Sequence, residues 1–151
     1  MARTLRTDIG IDASKEKVWE ILWNRDSYRA WTKAFSESSD VQTDNWKEGT
    51  KVIFGDNQGS GMVARVAANR PNEFMSFEHL GEVKDGVEDT ESEKVKQWAG
   101  ATENYSLSDE DGKTKLDVAL DVDNANGGFK DYFLKTFPIA LEKVKELAEK
   151  N

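Results

Sequence analysis

Lys115 to Glu149 reads KLDVALDVDNANGGFKDYFLKTFPIALEKVKELAE, and its hydrophobic period changes partway along. Leu116, Val118 and Leu120 alternate with Lys115, Asp117, Ala119 and Asp121. That period of two is the mark of an antiparallel strand with one wet face. From Gly128 the apolar positions are Phe129, Phe133, Phe137, Leu141, Val144 and Ala148, spaced four, four, four, three and four apart. Such spacing puts them in one stripe of a long helix. Pro138 removes a backbone donor and crowds the preceding turn, so a kink or break is expected there. Lys143, Lys145 and Lys150 suit the negative end of the helix dipole. A strand with one apolar face, followed by a helix with one apolar stripe, sets up a helix laid on a sheet.

Working upstream, more strands come into view. SDEDGK at 108–113 is a hairpin signal. Ala99 to Leu107 and Phe74 to Leu80 read as strands, and NRPNE at 69–73 as a turn. Met62, Ala64, Val66 and Ala68 alternate with Val63, Arg65 and Ala67. GDNQGSG at 55–61 has the glycines of a phosphate loop but no following helix and no Lys-Ser/Thr ending, so a hairpin turn is the better reading. Lys51 to Phe54 is a strand, WKEGT at 46–50 a turn, and Glu37 to Thr43 a weak strand. Thr4 to Ile11 opens the chain as a strand. Asp12 or Ser14 can cap a helix whose face carries Val18, Trp19, Ile21 and Leu22. A second short helix covers Asp26 to Thr32. The order is strand, two short helices, about six strands, long helix. It predicts an α+β architecture in which a curved antiparallel sheet wraps the C-terminal helix.

One stretch breaks the pattern. Glu82 to Gln97 holds six acidic residues, three lysines and few apolar side chains. It reads as a solvated, mobile insertion between two strands, with room for one helical turn in TESEKVK at 90–96. It lacks the ligand spacing and central glycine of a calcium loop.

Composition narrows the function. A length of 151 residues fits one domain over 1–151 with a real core. The net charge of −8 repels polyanions, which argues against nucleic acid and anionic membranes. There is no cysteine, which removes disulfides, thiolate metal sites and cysteine nucleophiles. A single histidine disfavours zinc hydrolysis, and no serine sits in a GxSxG nucleophile motif. No metal and no cofactor is expected. No apolar run reaches membrane-spanning length and MARTLRTDIGID lacks a signal-peptide core, so cytoplasmic residence is the expectation, without stable membrane insertion.

IDASKEKVWEILWNRDSYRAW at 11–31, WKEGTKVIFGDNQGSGMVARVAANRPNEFMSFEHLGEV at 46–83, WAGATENYSL at 98–107 and the terminal helix at 128–149 together resemble the START-like, or SRPBCC, helix-grip superfamily. The nearest branch is that of bacterial, polyketide-cyclase-related proteins akin to the activator of a heat-shock chaperone ATPase. The resemblance covers nearly the whole chain. It implies the helix-grip fold, which hosts lipid-transfer proteins, cyclases, sensors and chaperone regulators alike.

Two sets of residues are candidates for a site. His79 and Glu103 lie on strands joined by the insertion, on faces that also carry Phe77 and Tyr105. If both faces look inward, the pair can serve in acid–base work or orient a ligand carbonyl; the alternative is a structural pair, or a histidine at the wet end of its strand. Trp31, Phe54, Met62, Phe77, Trp98, Tyr105, Phe129 and Phe133 either wall a hydrophobic pocket or form ordinary core. Trp19 and Phe137 look like helix packing. The resemblance tilts the set towards a cavity. The leading expectation is a non-catalytic carrier or sensor of a small hydrophobic or amphipathic molecule. The alternatives are a cyclase- or hydrolase-like enzyme using His79 and Glu103, or a chaperone and stress-response regulator that contacts a protein partner through its acidic insertion.

Overall fold

The computed structural model of the protein describes residues 2–35, 37–43, 46–56, 59–96, 99–123 and 127–150, with the backbone alone at 2–4, 94, 122–123 and 127–133. The chain opens with strand β1 (Ala2–Ile11), followed by helices α1 (Lys15–Trp23) and α2 (Arg25–Trp31) and one tight turn of helix at Thr32–Ala34. Strands β2 (Asp40–Gln42), β3 (Lys51–Gly55), β4 (Gly61–Arg70), β5 (Phe74–Lys84) and β6 (Val87–Asp89) come next. Then come the short helix α3 (Glu93–Lys96), strands β7 (Thr102–Glu110) and β8 (Lys113–Asp123), and helix α4 (Gly127–Glu149).

The strands form one antiparallel sheet in the order β1-β8-β7-β5-β4-β3-β2, with β6 paired to β5 outside that path. Register fixes which side chains look inward. Leu5, Leu120 and Glu103 stand side by side across three strands; Ile9, Leu116 and Leu107 form a second such row. The curled sheet grips α4, whose Phe137, Ala140, Leu141, Val144 and Ala148 are buried against it. Every position of the predicted apolar stripe with a described side chain is therefore in the core. The helix runs unbroken through Pro138, which sits on the exposed side, so the expected break is absent. Ser14 caps α1 by accepting from the Lys17 amide at 3.1 Å, and Asn24 caps α2 through Asp26.

The acidic insertion joins two paired strands, β5 and β7, and contains the expected helical turn, but its first part is a paired hairpin rather than a loop. β5 continues to Lys84, turns through Asp85 and Gly86 at positive φ, and returns as β6 in register with itself. Helix α3 then buries Val95 completely. Val95 and the buried Val63 both lie outside the main core cluster. Val63 faces outward by alternation with Met62 and Ala64, and a bulge in β5 turns Gly81 to the same side. His79 pairs with Ala64 and Gly81 with Val63, so Leu80 is an extra residue in β5. Past it the side-chain alternation inverts: His79 faces the interior, while Gly81 and Val63 face the opposite side. The returning chain covers that outer side.

Candidate functional site

Ordinary alternation before the bulge puts Met75, Phe77 and His79 on the inner face of β5. On β7, Glu103 and Tyr105 share the inner face, opposite Phe77 and Met75. Glu103 Oε1 lies 3.0 Å from His79 Nε2. Its other oxygen, Oε2, accepts a hydrogen bond from the Tyr105 hydroxyl. His79 is 6% exposed and Tyr105 2%. The expected meeting of His79 and Glu103 therefore occurs, indoors rather than at the wet end of the strand, and Tyr105 completes a three-member chain.

Burial, reinforced by the Glu103 carboxylate, pushes the Tyr105 phenol well above its ordinary pKa. Tyr28 is raised in the same way, by burial first and then by Glu103 and Asp40. Both phenols are consequently neutral near pH 7, and Tyr105 is a donor to Glu103. With Nε2 committed to the carboxylate, His79 Nδ1 is left buried with no hydrogen-bond partner among the described residues. Trp23 Nε1 is a second buried polar atom without a partner among those residues.

Aromatic rings surround this chain of polar groups. Trp31 and Phe77 each contact the Tyr105 ring, with centroids 6.4 and 6.2 Å apart. Phe54 lies 5.0 Å from Phe77 and 6.1 Å from the imidazole. Met62 is half-buried opposite Phe54 in the β3–β4 register. Five of the predicted wall residues, Trp31, Phe54, Met62, Phe77 and Tyr105, are thus brought to one interior face together with His79 and Glu103. Trp98 lies outside the described residues, as do the side chains of Phe129 and Phe133. Trp19 and Phe137 take helix-packing positions, against Trp23 and Phe35 respectively.

Two site neighbours escaped the sequence reading. Trp23 touches Tyr105 at 4.9 Å and Phe77 at 5.4 Å, and Tyr28 lies 6.2 Å from Phe54. The available signal was spacing: Val18, Leu22 and Trp23 form the buried face of α1, one position round from the predicted face. A surface depression of about 400 Å³ lies elsewhere, lined by Asp40, Ile53, Gly55, Val83 and Glu88 among others. None of the described residues that line it is a predicted site residue. Among the described residues no group of His, Asp and Glu is arranged to hold a metal ion, and no helix is long and apolar enough to cross a membrane.

No family model and no curated protein matches the chain. Solved structures do. The Aha1 dimer from Colwellia psychrerythraea superposes with a TM-score of 0.72 at 18% identity, over 97% of this chain and 96% of that one. Ara h 8.0201 gives 0.69 at 10% identity, over the whole of both chains. DynU16, a putative protein of the dynemicin biosynthetic locus, gives 0.68 at 12% identity over 97% of this chain; this chain spans about half of that one, 47%. Such identities establish the fold alone. The sheet order, the paired short helices after β1 and the gripped terminal helix agree with them: this chain has the START-like helix-grip fold.

Proposed function

We propose that the chain binds a small hydrophobic or amphipathic molecule on the inner side of the sheet, beneath α4, and carries or senses it without converting it. The observation that supports this most directly is the His79–Glu103–Tyr105 chain, a charged and polar cluster set among aromatic rings with one polar atom that has no partner among the described residues. A core that only had to fold gains little from such a group, because each buried polar atom without a partner costs about 1–3 kcal/mol. Apolar walls that hold a few placed polar groups are the usual make-up of a small-molecule site. Native mass spectrometry of freshly purified protein, followed by titration with an apolar fluorescent probe, tests the proposal. A retained small molecule, or saturable binding at one site that the molecule displaces, is expected. Protein that carries nothing and binds no apolar probe saturably would overturn it.

The 3.0 Å His79–Glu103 contact supports one competing reading, an enzyme that moves a proton with this pair. Turnover of a candidate substrate that collapses in His79→Ala while binding persists would establish it. A rate indifferent to that substitution would remove it.

A further inference from the structure

The hydrogen-bond polarity of the buried chain fixes what its free end can accept. Tyr105 is neutral and donates to Glu103 Oε2; Glu103, as a carboxylate, has no proton to give and accepts again at Oε1. The donor there is His79 Nε2–H. In a neutral imidazole the proton sits on one nitrogen only, so Nδ1 presents a lone pair. Placing a proton on Nδ1 instead would bury an N–H that has no acceptor among the described residues, a rarer and costlier arrangement than an under-used acceptor. A ligand carbonyl, the partner expected from sequence, would meet that lone pair with one of its own.

We infer that the ligand presents a hydrogen-bond donor, a hydroxyl on an apolar or aromatic body, to Nδ1 of His79. Glu103 and Tyr105 act as positioning residues that hold the imidazole in its Nε2–H tautomer. The inference deepens the carrier reading and rests on it. Nδ1 is sealed from solvent, and the described aromatic ring in contact with the imidazole is the half-buried Phe54. A hydroxylated ring therefore reaches Nδ1 by displacing Phe54 and taking its place beside the imidazole.

Two measurements on the full chain decide the matter. His79 is the only histidine, so ¹⁵N-histidine labelling gives the spectrum of one imidazole without assignment. The free protein should show a protonated Nε2 and an unprotonated Nδ1. Adding 2-naphthol should move the Nδ1 resonance in the direction of hydrogen-bond acceptance, and 2-methoxynaphthalene should not. Binding of 2-naphthol should be tighter than that of the ether by roughly five- to tenfold, as one neutral hydrogen bond allows. His79→Phe should erase that ratio. Equal affinity for the two probes, or no binding of either, would overturn the donor inference; the carrier reading falls with it only where the protein also retains no small molecule and binds no apolar probe. A free protein protonated at Nδ1 would overturn the inference on wild-type chain alone, whether or not His79→Phe folds.

Discussion

Gly81 lies against the backbone of Asp89 so closely that a Cβ at position 81 would overlap the Asp89 carbonyl oxygen and sit 2.8 Å from Thr90 Cγ2. The returning strand β6 can therefore seat on β5 only because residue 81 has no side chain. Gly81→Ala is expected to destabilise the protein by roughly 2–3 kcal/mol, the upper range for overpacking, since a backbone carbonyl cannot swing aside as a flexible side chain can. Urea unfolding measures the loss. Hydrogen exchange should show it concentrated at 82–96, and uniform loss of protection would contradict the assignment.

Much of this architecture was legible from period alone. The alternation at 115–121 and the four-residue spacing from Phe129 gave the strand, the helix and their facing sides, because burial on one face imposes those periods directly. Only the pairing inside the insertion is hidden, for a physical reason. The Asp-Gly pair at 111–112 stands between two alternating strands that mark it as a hairpin, while the same pair at 85–86 is followed by a short strand with few apolar residues; both have positive φ at the two positions. Charge density reports on solvation of a face, not on whether the backbone is paired. The bulge at Leu80 left no local trace, since it depends on the register of β4. The pairing of His79 with Glu103 was accessible from alternation on adjacent strands. The share of Tyr105 in it, and an Nδ1 with no partner among the described residues, depend on how the side chains converge in space.

Removing the Tyr105 hydroxyl should be costly out of proportion to one oxygen. It donates to a carboxylate away from water, and hydrogen bonds to charged groups contribute about 1.5–3 kcal/mol. Tyr105→Phe is expected to lose that amount in urea unfolding. In the Glu103→Gln background the same substitution should cost less, so a double-mutant cycle should give a coupling of about 1 kcal/mol or more. Additive losses would mean that the two groups do not form a unit.

Asp40 anchors the edge of the sheet to α2. Its side chain is 2% exposed, accepts from the Val41 amide at 2.8 Å, and meets Arg25 Nε and Nη2 at 3.1 and 2.9 Å. The Arg25 side chain is 65% exposed, and its pKa is raised by the hydrogen bond to Asp40. The two partners should therefore differ in weight. Asp40→Ala strands a buried amide and is expected to cost about 1–3 kcal/mol. Arg25→Ala should cost less, because solvent screens its outer side and Arg29 stands 3.8 Å from the same carboxylate. Thermal unfolding of both variants at low and high salt checks the order. An Arg25 loss equal to that of Asp40 and insensitive to salt would contradict it.

Tyr28 and Tyr105 together predict how the fold fails in alkali. Both phenols have folded-state pKa values well above the ordinary 10.0, with burial as the first cause. Below about pH 10 each is protonated whether the chain is folded or not, so their contribution to stability is fully present there. Above that pH the unfolded chain releases protons that the folded chain retains. The number bound is then smaller in the unfolded state, and stability must fall as pH rises towards the elevated folded values. Each tyrosine adds up to about 1.4 kcal/mol per pH unit to that fall. Phenolate absorbance from these two residues should consequently appear together with loss of near-ultraviolet circular dichroism rather than ahead of it. Tyr28→Phe and Tyr105→Phe should each reduce the coupled absorbance step. A titration in which all three tyrosines ionise near pH 10 with the fold intact would show that neither phenol is shielded.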